Sequence, residues 1–359
     1  MKRLISLVLV GILLLSFCGC DSAELDAAYD GVRTIVDGAG RTVEIPDNVE
    51  SVVCVGVGAL RYTCYMQGQD LVIGVEDYET KAGMDRLYNY VNYDLFQNLP
   101  VIGTNGVPFV EEIIEVNPQV IVMSRSASVE ADDLQNKTGI PVVVVPGSDT
   151  TLDENCYETL QILGELYNKE ERTWELTAYL RGIEEDLGRR TEGIENKPTA
   201  YVCGVSFKGV HGFEGTEAGY GPFVLIKANN LADTTGQTGA FDMDIEQVLQ
   251  WDPDVIFVDF NGLDLINEAY ETNPEFFENL TAVQEGRVYS QISFRSYASN
   301  LDTALADAYY AASVMYPDQF ADVNLEAKIG EIFETLLGIN PYPDLKEAGY
   351  AFRNITIGE

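Results

Sequence analysis

Residues 111–124 read EEIIEVNPQVIVMS, and residues 246–259 read EQVLQWDPDVIFVD. Laid in register, Glu111 falls on Glu246, Pro118 on Pro253, Val120 on Val255 and Ile121 on Ile256. Other positions keep their class, with Ile113 on Val248, Ile114 on Leu249 and Asn117 on Asp252. The apolar positions of the first half suit one face of a short helix. Asn-Pro or Asp-Pro then ends it, because the residue before proline avoids the helical region. A continuous apolar run follows, which reads as a strand buried on both faces. Each copy is thus helix, tight turn, buried parallel strand. Two copies at one fixed offset predict an internal duplication and two similar α/β lobes.

A chain of 359 residues is long enough for two such lobes. Its start lies outside them. Lys2 and Arg3 precede the apolar run LISLVLVGILLL, and SFCGC follows. This is the pattern of a secretion signal, too short for a comfortable membrane span. The cysteines directly after it resemble a bacterial lipoprotein processing site. Cys20, preceded by the small Gly19, suits it better than Cys18, preceded by Phe17. The expected organisation is a signal peptide over 1–20, a tether over 21–33, an N-terminal lobe over 34–168, a connecting helix over 169–196 and a C-terminal lobe over 197–359. No later stretch reads as a bilayer span.

The formal charge is −36, from 22 Lys and Arg against 58 Asp and Glu. Phosphate binding needs a basic surface, so nucleic acid is excluded as a partner. Cys54, Cys64, Cys156 and Cys203 show no zinc spacing. Cys54 and Cys64 are expected either to pair or to be buried free thiols. The single histidine, His211, removes multi-histidine metal sites and His-paired carboxylate chemistry. No nucleophile elbow, phosphate loop or dinucleotide fingerprint is present, which argues against an enzyme.

Between the lobes, EERTWELTAYLRGIEEDLGRRT over 170–191 places Leu176, Leu180, Ile183 and Leu187 on one stripe. A helix there would be about 33 Å long and would act as a strut. In the second lobe a strand near KPTAYVCGVS leads into the glycine-rich FKGVHGFEGTEAGYGPF, and a helix is expected at 224–232.

The order of these features resembles the substrate-binding proteins of importers for ferric siderophores, haem and cobalamin, some of whose relatives bind molybdate or tungstate. The likeness rests on DGAGRTVEIPDNVESVVCVGVGALR, the doubled NP/DP-strand unit, the strut and the ending LADAYYAASVMYPDQFADVN. The closest subgroup carries an iron-compound label. The resemblance implies two Rossmann-like α/β lobes with parallel sheets, joined by one backbone helix, with a ligand in the cleft between them. It further implies a monomer on the extracytoplasmic face of the cell membrane, anchored by lipid on Cys20. It would deliver an iron complex, with no intrinsic cofactor, to an ABC permease and its ATPase subunits. A corrinoid or an oxyanion stays open as the ligand, and a sensor domain stays open as a different role.

Open parallel sheets place ligand contacts at the carboxyl ends of their strands. That rule points to 124–126 and 259–261, and to cations at four strand ends: Arg61, Arg125, Lys208 and Arg295. A basic cleft within an acidic protein would focus an anion. Tyr62, Tyr90, Tyr220, Phe294 and Tyr297 are expected to supply its aromatic walls. His211, between glycines, is a candidate metal ligand. Members of the resembled family meet their permease through an acidic residue on each lobe. Here Glu76 and Glu79 are the first-lobe candidates, with Asp233 and Glu246 both open in the second.

Overall fold

The computed structural model describes residues 31–148 and 150–359. The signal segment, most of the tether and Cys20 lie outside the described residues. No helix among the described residues is long and apolar enough to cross a membrane.

The fold opens with a two-stranded antiparallel ribbon, β1 (Val32–Val36) and β2 (Thr42–Pro46). The first lobe is then built on six strands: β3 (Val52–Val55), β4 (Val72–Glu76), β5 (Val101–Thr104), β6 (Val107–Pro108), β7 (Val120–Ser124) and β8 (Val142–Val145). Their order across the sheet is β6-β5-β4-β3-β7-β8, parallel except for the β5–β6 edge. Every residue of β3, β7 and β8 is buried. The sequence of these strands is nearly all Val, Ile, Cys and Met, because both faces of the sheet are covered.

The second lobe uses β9 (Thr199–Cys203), β10 (Gly215–Ala218), β11 (Asn229–Asn230), β12 (Gly239–Asp242), β13 (Val255–Asp259) and β14 (Val288–Gln291). Its parallel sheet runs β11-β9-β13-β14, and β10 pairs with β12 as a separate antiparallel ribbon. The glycine-rich segment therefore folds as half of a ribbon. The helix expected at 224–232 is a shorter one at Gly221–Leu225, because the chain turns into β11 at Asn229.

The duplication is visible in topology. β7 lies between the opening strand of its lobe, β3, and the later β8; β13 lies likewise between β9 and β14. The turns before them match residue for residue. Asn117 and Asp252 both hold left-handed backbone, at φ 52° and 47°, ending the helices Val110–Val116 and Ile245–Trp251. Asn and Asp tolerate that conformation better than most residues with a Cβ.

One helix, Glu170–Arg190, joins the lobes, and its buried residues are Leu176, Leu180, Ile183 and Leu187. Burying each such side chain stabilises by about 1.5–3 kcal/mol. Arg172 on this helix donates to the carbonyls of Tyr65 in the first lobe and Thr335 in the second. The strut is thereby tied to both lobes. One apolar core runs through it, taking in Val52 and Val122 of the first sheet and Val202 and Phe257 of the second. The four described cysteines are buried free thiols.

Candidate ligand-binding cleft

The carboxyl ends of the strands face a cleft divided by the loop 295–299. On one side lies a hollow of about 480 Å³, lined by Gly58, Arg61 and Tyr62 after β3, Ser124, Arg125 and Ser126 after β7, Pro146, Gly147 and Ser148 after β8, and Ser299. On the other side lies one of about 510 Å³, lined by Asp85, the loop 206–210, Asn261 and Arg295, Ser296 and Tyr297. Of the residues expected at strand ends, Arg61, 124–126, Lys208, Asn261 and Arg295 border one hollow or the other. Ser148, after β8, borders the Arg61 hollow as well, with no charge or aromatic ring in the sequence to mark it.

Arg61 is 1% exposed and crosses from one lobe to the other. Its Nη1 donates to the Ser299 carbonyl at 2.9 Å and its Nη2 to the Ser296 carbonyl at 3.0 Å and the Tyr297 carbonyl. Its guanidinium lies 5.0 Å from the centre of the Tyr88 ring. Its Nε is buried without a partner. Tyr297 and Ala298 both take left-handed backbone, at φ 47° and 67°. Such conformations cost about 1–3 kcal/mol each and persist only where their surroundings impose them. Here the clamp from Arg61 imposes them, together with the stack of Tyr297 on Tyr78 at 4.2 Å and the bond from Ser296 to Asp85. Arg86 adds a guanidinium 5.0 Å from the centre of the Tyr297 ring.

The expected convergence of four cations is not formed. Arg295 pairs with the buried Glu217, through Nε at 3.0 Å and through Nη2, and gives its Nη1 to Ser299 Oγ at 2.8 Å. Burial pushes the Glu217 carboxyl up, against the pull of Arg295. Arg295 is therefore locally neutralised. Its partner sits on a ribbon distant in sequence, so no spacing signals the pair. Lys208 is exposed on the 206–210 side, at φ 53°. Only Arg61 and the exposed Arg125 share one hollow, among Ser124, Ser126, Ser148 and Ser299.

The aromatic walls are also mostly absent from the cleft. Tyr220 and Phe294 are fully buried, packed edge-to-face with each other, and the Tyr220 hydroxyl donates to Gln291 Oε1 at 2.6 Å. They are core residues, since a ring between a glycine-rich loop and a helix is as easily packed inward as outward. Tyr90 is turned to the C-terminal segment, where its hydroxyl donates to Asp344 at 3.1 Å. Tyr62 borders the hollow but is 2% exposed. Tyr297 stands partly in the open, at 39%, on the 206–210 side.

Glu76 and Glu79 cannot present charge to a partner, being 2% and 1% exposed. Glu76 accepts the Gly106 N–H at 2.7 Å and the Gly56 N–H at 3.3 Å, fixing the turns beside the cleft. Glu79 accepts from Tyr88 and Asn89 and pairs with Arg86, and burial raises its carboxyl to about 7. Asp259, at the end of β13, is buried and pushed to about 7 by the same cause. It braces the loop after the strand by accepting from Ser293 and the Asn261 N–H.

Comparison with known proteins agrees with this architecture. The Haemophilus influenzae molybdate-binding protein MolA is 21% identical over 92% of this chain and 97% of its own. The Bacillus subtilis Fe(3+)-citrate-binding protein YfmC is 25% identical over 52% of this chain and 58% of its own. Among solved structures, a periplasmic solute-binding protein of Veillonella parvula superposes with a TM-score of 0.70 at 18% identity, covering 86% of this chain and 94% of that one. Molybdate-bound MolA superposes at 0.68 and 19% identity, covering 86% and 98%. Residues 70–291 match the periplasmic binding protein family model, and the chain belongs to that family of solute-binding proteins, which work with ABC transporter permeases.

Proposed function

We propose that the protein is the extracytoplasmic substrate-binding component of an ABC importer, held to the membrane by lipid on Cys20, and that its ligand is a compact anion of the molybdate or tungstate class. The observation that carries the ligand class is the composition of the Arg61 hollow. It is walled by hydroxyls and glycine backbone, with Arg125 at its exposed edge. Hydroxyls and guanidinium groups donate to oxyanion oxygens. Haem and corrinoids need broad apolar walls, but of the aromatic residues expected there Tyr220 and Phe294 are packed in the core and Tyr90 turns to the C-terminal segment. The similarity to a molybdate-binding protein along nearly the whole chain supports the same reading.

A ferric carboxylate chelate is the second reading, favoured by the partial match to the citrate-chelate protein. Such a ligand presents the same oxygen-rich anionic surface at larger size. Calorimetric titration with molybdate, tungstate, ferric citrate, a catecholate ferric siderophore, haemin and cobalamin separates the two. Binding of molybdate or tungstate with ferric citrate inert supports the first. Binding of haemin or cobalamin alone would overturn both. Replacing Cys20 with Ser should release a soluble, still ligand-competent protein, since stable anchoring needs the multiply acylated form.

A further inference from the structure

His211 lies on the loop between β9 and β10, Glu214 directly precedes β10, and Asp242 ends β12. The ribbon pairs Asp242 with Gly215, next to Glu214. Backbone bonds close the neck of the loop, from the Gly204 N–H to the Gly212 carbonyl at 3.0 Å and from the Val205 N–H to the Gly215 carbonyl at 3.1 Å. The three side chains bring one ligand atom each to within 4.8 Å of the others.

The histidine ring faces oxygen on both sides. Nε2 lies 2.8 Å from the Phe207 carbonyl, and Nδ1 lies 2.8 Å from Asp242 Oδ1. A carbonyl only accepts, so Nε2 carries a proton. A neutral imidazole has no second N–H, and its Nδ1 lone pair then points at a carboxylate. A hydrogen on one partner makes the 2.8 Å contact as it stands, and a metal ion can take that hydrogen's place once the two atoms separate. A backbone carbonyl holding the far ring nitrogen is the arrangement that orients a metal-binding imidazole. The ring is fixed further by stacking on Phe207, 3.8 Å between centres and 7° from parallel. Among the described residues no Lys or Arg forms an ion pair with Glu214 or Asp242.

We infer that His211 Nδ1, Glu214 and Asp242 form a binding site for a divalent transition-metal cation. One imidazole and two carboxylates suit Zn²⁺, Ni²⁺ or Mn²⁺, with water completing the shell. Bond lengths of about 2.1 Å set ligand atoms roughly 3.4 Å apart around a tetrahedral ion. The His211–Asp242 contact opens slightly to reach that spacing, and Glu214 closes by side-chain rotation. An ion there pins the loop that carries Phe207 and Lys208, which line the 206–210 side of the cleft. The site is independent of which anion the Arg61 hollow takes.

His211 is the only histidine of the sequence, so untagged protein has a single imidazole to observe. Chelator-treated full-length protein with ring-¹⁵N histidine is titrated with Zn²⁺, and calorimetry is run in parallel. The expected result is one ion per chain, with the Nδ1 resonance moving to the position of a coordinated nitrogen while Nε2 stays protonated. Asp242→Asn and Glu214→Gln should each weaken binding at least about tenfold. Asp244→Asn, a neighbouring exposed position, should leave it unchanged. Asp242 is exposed, so its variant tests the site even where Glu214→Gln lowers stability. An Nδ1 resonance unmoved by excess Zn²⁺ would overturn the inference. So would equal binding by the wild type and Asp242→Asn, which marks scattered surface carboxylates as the ligands.

Discussion

Arg61 in the first lobe gives its guanidinium to the Ser299 carbonyl in the second, at 2.9 Å. It is a basic residue at a strand end, where an anion contact was expected, yet two of its nitrogens hold the opposite lobe. The same side chain therefore borders the cleft and closes it. Arg61→Ala leaves the carbonyls of Tyr297 and Ser299 without this donor, while the Ser296 carbonyl keeps only Asn300 Nδ2. Each such loss costs about 1–3 kcal/mol. Thermal denaturation should show a fall of several degrees in Tm, together with weaker ligand binding. Arg61→Lys keeps the charge but not the planar fork, and should recover only part of either. An unchanged Tm in Arg61→Ala would remove the clamp.

Arg125 tests ligand charge from the exposed edge of the hollow. It is exposed, so Arg125→Ala should cost far less stability than Arg61→Ala, about 1 kcal/mol or less. A charge-assisted contact to a bound anion is worth about 1.5–3 kcal/mol, roughly a tenfold to hundredfold loss of affinity. Calorimetry with whichever anion binds reads this directly. Full affinity in the variant would mean that the anion does not reach this edge of the hollow.

The sequence made the frame readable because its signals are local. Proline after Asn117 and Asp252, the continuous apolar runs of β7 and β13, and the four-residue stripe on the strut each report nearest-neighbour physics. The site was less legible because its decisive contacts are distant in sequence. Arg295 looks like a ligand arginine until Glu217 is brought beside it by the β10–β12 ribbon. Glu76 looks exposed at the end of a strand, but the backbone N–H groups of Gly56 and Gly106 turn it inward. Tyr220 and Phe294 share composition with wall residues, and only packing assigns them to the core.

Asp259 gives the stability a pH dependence of definite sign. Its folded carboxyl is raised from 3.8 to about 7 by burial. The unfolded chain loses that proton near pH 4, while the folded chain keeps it until about pH 7. Between those values the folded state binds more protons, so rising pH destabilises it, by roughly 1.4 kcal/mol per unit of pKa difference. Asn at this position can still accept from Ser293 and the Asn261 N–H through its Oδ1. The Tm of Asp259→Asn relative to wild type should therefore rise as pH is taken from 5 to 8. A constant difference across that range would contradict a proton held by Asp259.

The repeat favours Glu246 of the two second-lobe docking candidates and pairs it with Glu111 in place of Glu76 and Glu79. Glu111 and Glu246 occupy equivalent places in the duplicated unit, each exposed in the first turn of the helix before β7 or β13. Acidic residues there are favoured by the helix dipole, which explains one such residue but does not require both to stay in solvent. Equivalent exposed acids on the two lobes offer a partner one matched contact on each lobe. Charge reversal at Glu111 and Glu246 together should impair uptake in cells while leaving ligand affinity and Tm near wild type. Reversal at Glu76 or Glu79 should do the opposite and lower Tm sharply, because it buries a cation among groups arranged to hold an acid. Normal uptake by the Glu111/Glu246 double variant would remove this surface from the docking interface.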